Sequence, residues 1–120
     1  MNSLIGIMVF GVAFNCLAKN DVLPEAKVNK IVNAIYKIEN SAKYPFGIKS
    51  IPLKGGTQTE RKKYARKICR NTVINSYSKW INAGRAGNYL DSLAERYCAE
   101  SVDSSGHRNW QKNIHKIVDN

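Results

Sequence analysis

Apolar residues recur at helical spacing over most of this chain. Val28, Ile31, Val32, Ile35 and Ile38 fall on one face of a helix predicted from Pro24 to Ser41, with Lys27, Lys30, Asn33 and Lys37 opposite. Pro24 stands where a first helical residue would, with Glu25 in the first turn. From Lys43 to Gly56 the period is lost. Pro45, Gly47, Pro52, Gly55 and Gly56 forbid a long helix, so Phe46, Ile48, Ile51 and Leu53 belong to an irregular loop or tiny hairpin packed over the first helix. Thr57-Gln58-Thr59-Glu60 then has the form of a capping box, which opens a helix from Gln58 to Ala83. Its inner stripe runs through Tyr64, Ala65, Ile68, Cys69, Thr72, Val73, Ser76, Tyr77, Trp80 and Ile81, and Gly84 ends it. A third helix, Asn88 to Ala99, buries Leu90, Leu93, Ala94, Tyr97 and Cys98. A polar loop, Glu100 to His107, leads to a last helix from Asn109 to Val118, docked by Trp110, Ile114, Ile117 and Val118. The pattern predicts an all-α fold of four helices with an irregular segment after the first.

The first eighteen residues read differently. Leu4 to Phe14 is an apolar run too short to span a bilayer, and Cys16-Leu17-Ala18 resembles a signal-peptidase site, so cleavage after Ala18 and a periplasmic or secreted protein are expected. The absence of Lys or Arg before the run points the other way, toward an uncleaved anchor. Residues 19–120 would form a single domain with one modest core. All nineteen Lys and Arg and all nine Asp and Glu lie in it, so it carries the whole net charge of +10. Such a domain suits an anionic partner: a cell-wall polymer, an anionic lipid or a nucleic acid. Export argues against the nucleic acid, and the aromatics of the second helix fall on its inner stripe, where no base would stack.

With Cys16 removed, Cys69 and Cys98 remain, both on inner faces. An even count in a small exported domain suggests a bridge between the second and third helices, contributing about 3–4 kcal/mol by the chain-entropy argument. The alternative is two buried free thiols. Two Cys and two scattered His match no metal-ligand spacing, so neither metal nor cofactor is expected.

Glu39 is the residue with the most chemical content. It extends the stripe of Val32 and Ile35 to the C-terminal end of the first helix. Burial and the negative end of the helix dipole would both raise its pKa, as a general acid working near neutral pH requires. The alternative is a helix that stops at Ile38 and leaves Glu39 in water. Tyr44, Pro45, Gly47 and Ser50 follow closely enough to form a polar cleft beside it, and Tyr97 is a further cleft candidate. Asp91 and Glu95 point away from the third helix's apolar stripe, so no second carboxylate is clearly placed. Ser104 and His107 are too close in sequence to read as a catalytic pair, and the better reading is a turn that caps the last helix. The basic run Arg61 to Arg70 is either an anion-binding face or an ordinary solvated one.

Ile38-Glu39-Asn40-Ser41 followed by Tyr44-Pro45-Phe46-Gly47-Ile48 resembles the lysozyme-like superfamily, especially lytic transglycosylases. There the catalytic Glu ends a helix, Ser commonly follows, and a Gly-containing segment walls the sugar cleft. Here the Ser is displaced by one position and the Gly-Leu-Met-Gln run is missing. The resemblance implies an exported, monomeric enzyme acting on peptidoglycan, with Glu39 protonating the glycosidic oxygen and then serving as base. The competing expectation is a basic, non-catalytic exported protein that binds a polyanion or a protein.

Overall fold

The computed structural model describes residues 22–41, 43–49 and 57–119. The segment 1–18, expected to be a signal peptide, Ser50 and the apolar residues Ile51 and Leu53 lie outside them. The regular elements among the described residues are all helical, with no strand: α1 (Glu25–Glu39), a 3₁₀ turn (Pro45–Gly47), α2 (Gln58–Asn82), α3 (Tyr89–Tyr97) and α4 (Ser104–Val118). None of these helices is long and apolar enough to cross a membrane.

α1 is the central element and packs on α2, on α4 and on the 3₁₀ turn. Its stripe does what its spacing predicts: Val28, Ile31, Val32, Ala34 and Ile35 are buried, and Ile38 packs against the core edge. Full burial of each large aliphatic side chain contributes roughly 1.5–3 kcal/mol. The helix stops two residues earlier than expected. Asn40 adopts a left-handed conformation (φ 41°), and its N–H returns to the Tyr36 carbonyl at 3.0 Å. Asparagine tolerates that region better than most residues. Pro24 is the N-cap rather than the first helical residue.

The Thr57 cap is present in altered form. Its Oγ1 accepts from the Glu60 amide at 3.1 Å, but the Glu60 carboxylate accepts from the Thr57 hydroxyl instead of reaching the Thr57 amide. Of the long stripe on α2, only Ala65, Cys69 and Val73 are buried. Tyr64, Ile68, Thr72, Ser76, Tyr77, Trp80 and Ile81 are half-buried. Tyr89, at the start of α3, reaches back into α2, where its hydroxyl donates to the Val73 carbonyl at 2.9 Å. Burial pushes that phenol up to about 12, and the Ser76 hydroxyl beside it pulls the other way.

α4 begins five residues earlier than its hydrophobic pattern indicates. Asp103 is the N-cap, its carboxylate accepting from the Gly106 amide at 2.9 Å, so Ser104 to Arg108 form the first turns instead of a loop. His107 is buried there, with Nδ1 2.7 Å from the Cys98 carbonyl oxygen. Trp110, Ile114 and Val118 are buried, and Ile117 packs on the margin.

The expected disulfide is not formed, and Cys69 and Cys98 are free thiols. Cys69 Sγ lies 3.6 Å from the Tyr97 hydroxyl. Cys98 caps α3 in an extended conformation (φ −152°), which directs its sulfur toward Gly106. The two sulfurs have different neighbours, the Tyr97 hydroxyl for Cys69 and the Gly106 backbone for Cys98. Burial pushes the Cys69 thiol up to about 11, with Glu39 adding to the effect and Tyr97 and Arg66 opposing it.

Candidate active site

Three structural choices converge on Glu39. It is the last residue of α1, and the chain reverses immediately at Asn40. Ser41 Oγ accepts from the Tyr44 amide at 3.0 Å, which tightens the reversal. The 3₁₀ turn then brings Phe46 and Gly47 back over the helix end, both left-handed, at φ 60° and 72°. That conformation is costly for Phe46 and is held by complete burial of its ring against Tyr36, centroids 5.0 Å apart. Gly47 stands directly before the carboxylate: a Cβ at this position would lie 2.5 Å from Glu39 Oε1. The close approach of backbone and acid is open to glycine alone.

The other carboxylate oxygen is held from α4. Trp110 Nε1 donates to Glu39 Oε2 at 2.8 Å, across 71 residues of sequence. The indole is stacked on Tyr97, with centroids 5.0 Å apart and planes 10° from parallel. Tyr97 in turn meets Cys69. Burial drives the Tyr97 phenol well above its usual range, and the thiol and the Glu39 charge add to the shift. Glu39 itself is half-buried, so it is neither sealed in the core nor fully in water.

Of the expected site residues, Glu39, Gly47 and Tyr97 belong to one cluster. Tyr44 is half-buried on the same turn, with the Lys43 ammonium 5.4 Å from its ring centroid. Ser50 lies outside the described residues. Trp110 is the core anchor its spacing predicts, and it also carries a link to the acid that the sequence does not show. An indole N–H on an apolar stripe needs a partner when buried, which was the available signal.

Asp91 is not simply solvated. His115 Nε2 lies 2.6 Å from Asp91, and its Nδ1 lies 2.8 Å from Asp119, so the imidazole ties α3 to the end of α4. Hydrogen bonds to Asp119 and Asp91 raise the His115 pKa above its ordinary value of 6.5, against partial burial. Partial burial opposes ionisation of Asp91, but the bonds from His115 and Gln111 and the His115 charge outweigh it and hold the carboxyl below 3.8. The signs give a window. The His115 contribution is complete below pH 6.5 and lost as pH rises through the raised value. The Asp91 contribution is present above pH 3.8 and lost as pH falls through the lowered one. Thermal stability is expected to be highest between these limits and to decline above neutrality. His115→Gln should flatten the alkaline decline, which melting curves across pH would show; an unchanged decline would refute the assignment.

Among the described residues, Glu95, Glu100 and His107 are grouped closely enough to share a metal ion. His107 Nδ1 is already engaged by the Cys98 carbonyl and both carboxylates are exposed, so the group carries no metal assignment. A cavity of about 430 Å³ opens near the start of α1, lined by Leu23, Lys27, Tyr77, Trp80, Tyr89 and Asp119 among others. It lies roughly 20 Å along the helix from Glu39 and has no part in that site.

No protein-family model, curated protein or solved structure gives a significant match to this chain.

Proposed function

We propose that the protein is a small exported glycan-cleaving enzyme of lysozyme-like, lytic-transglycosylase type that acts on peptidoglycan through one acid, Glu39. The observation that carries the reading is the fixed, half-exposed carboxylate between the Trp110 N–H and the bare backbone of Gly47. Oε2 is occupied as an acceptor, so the transferable proton belongs on Oε1, on the Gly47 side. Donation of that proton to the bridging oxygen lets the anomeric C–O bond break, and the bond's electron pair leaves with the oxygen. The Glu39 carboxylate then takes the proton of a hydroxyl on the same sugar as that oxygen attacks the anomeric carbon. The acid is regenerated and no water is consumed.

A single acid suits this route better than a hydrolase that needs two carboxylates flanking the bond. Of the stacked pair, Trp110 is buried and Tyr97 half-buried, so Tyr97 is the ring with surface left for a sugar to meet. Purified protein incubated with peptidoglycan is expected to release soluble fragments lighter by one water than hydrolytic ones, read by mass spectrometry. Fragments of hydrolytic mass would replace the transglycosylase with a glycosidase, and no release would end the enzyme reading.

Trp110 is a positioning residue on this reading. Trp110→Phe keeps an aromatic ring for Tyr97 but removes the N–H. Turnover is expected to fall about 10- to 100-fold, because small misplacement of a catalytic group is costly. KM should change little, and a loss confined to KM would refute the positioning role.

A further inference from the structure

The seam between α1 and α2 is cationic along its length. Lys62, Arg66 and Arg70 are spaced four apart on α2, so their stems rise about 6 Å from one to the next. Each faces a different partner on α1. The Lys62 ammonium sits 4.3 Å from the Tyr36 ring centroid, Arg66 Nη1 donates to Asn33 Oδ1 at 2.8 Å, and Arg70 Nη1 donates to Asn29 Oδ1 at 3.1 Å. Of the three, Arg70 alone meets a carboxylate among the described residues, that of Glu25. The other two are oriented by neutral groups. Lys63 and Lys67 stand exposed beside them, and Glu60 is the sole acid on α2. Arg66 uses one of five guanidinium donors on Asn33, and the remainder of its planar fork suits a phosphate. The row ends at Tyr36, one turn short of Glu39.

We propose that this seam binds a linear phosphodiester polymer of the poly(glycerol phosphate) kind, which lies along α2. The observations favour such a polymer over a nucleic acid. Tyr36, the ring on the seam, is covered by Lys62 on its face and packed against Phe46, so it offers no platform for a base. The charges rise about 6 Å apart, a spacing that fits any extended phosphodiester chain, so the ring and not the spacing separates the two. This binding does not depend on the glycan-cleaving reading.

The test is anisotropy titration of end-labelled poly(glycerol phosphate) with the purified protein at low and moderate salt. Three double variants each remove two charges: Lys62→Gln with Arg66→Gln, Lys63→Gln with Lys67→Gln, and, on α4, Lys112→Gln with Lys116→Gln. Either α2 pair is expected to weaken binding about tenfold or more and to make the log–log salt slope about 1.4 shallower. The α4 pair should cost less than about threefold, since it only lowers net charge. Equal loss in all three pairs, no binding by the parent protein, or tighter binding of a single-stranded DNA of equal charge would overturn the proposal. Melting curves check folding. Should the Lys62 and Arg66 pair unfold, the exposed Lys63 and Lys67 pair decides. Glu39→Gln should bind the polymer as the parent does, so failure of cleavage and failure of this surface are separable.

Discussion

Glu39→Gln is expected to leave a folded protein whose release of soluble fragments from peptidoglycan is about 10²- to 10⁴-fold slower, the usual share of a general acid. Glutamine has nearly the same shape as the acid. Its carbonyl oxygen can still accept from Trp110 Nε1, the contact now made by Oε2 at 2.8 Å. The amide cannot supply a proton to a leaving oxygen or take one back. Melting should therefore shift by less than about 5 °C, well short of what loss of a buried network would cause. The decisive measurement is single-turnover release with parent and variant at matched folded concentration. A variant as active as the parent would remove Glu39 from the chemistry. A variant that unfolds would show the carboxylate to be structural, and Glu39→Asp, which shortens the reach but keeps the proton, would then separate the roles.

Gly47→Ala is the second large effect, and its control lies within the molecule. Both Gly47 and Gly84 are left-handed, at φ 72° and 85°. A methyl group at Gly84 would meet nothing within 4 Å, whereas at Gly47 it would lie 2.5 Å from Glu39 Oε1 and 2.8 Å from Cδ. Gly84→Ala therefore measures the backbone penalty alone, about 1–2 kcal/mol. Gly47→Ala adds a collision that must push the carboxylate off the Trp110 N–H. Its cost is expected to reach about 3 kcal/mol by urea denaturation, with activity falling at least as far as in Trp110→Phe. Equal destabilisation by the two substitutions, with activity intact at Gly47, would show that the turn does not constrain the acid.

The fold was legible because α1, α3 and α4 carry strong amphipathic stripes, and a helix that buries one face announces itself by period. What escaped was set by single polar atoms. α4 starts at Ser104 because Asp103 caps it, although the apolar spacing begins only near Trp110. The cysteines share an even count but not a direction: Cys69 is buried against the Tyr97 hydroxyl, and the half-buried Cys98 lies by Gly106. Glu39 could be picked out because an acid continuing an apolar face is anomalous within one helix. Its partner Trp110 could not, because nothing local ties residues 71 apart. Likewise the sequence leaves the basic run of α2 open between an anion-binding face and a solvated one. Its orientation by Asn29, Asn33 and Tyr36 depends on how α1 lies against it.

Phe46 bears on how a ligand would meet this protein. Its ring is fully interior while its backbone is twisted the unfavourable way, so the turn cannot swing outward without dragging an aromatic group into water. The backbone beside Glu39 is therefore shaped during folding, before any visitor arrives. Ordering it costs nothing at the moment of association, and the encounter on this side is with a finished mould.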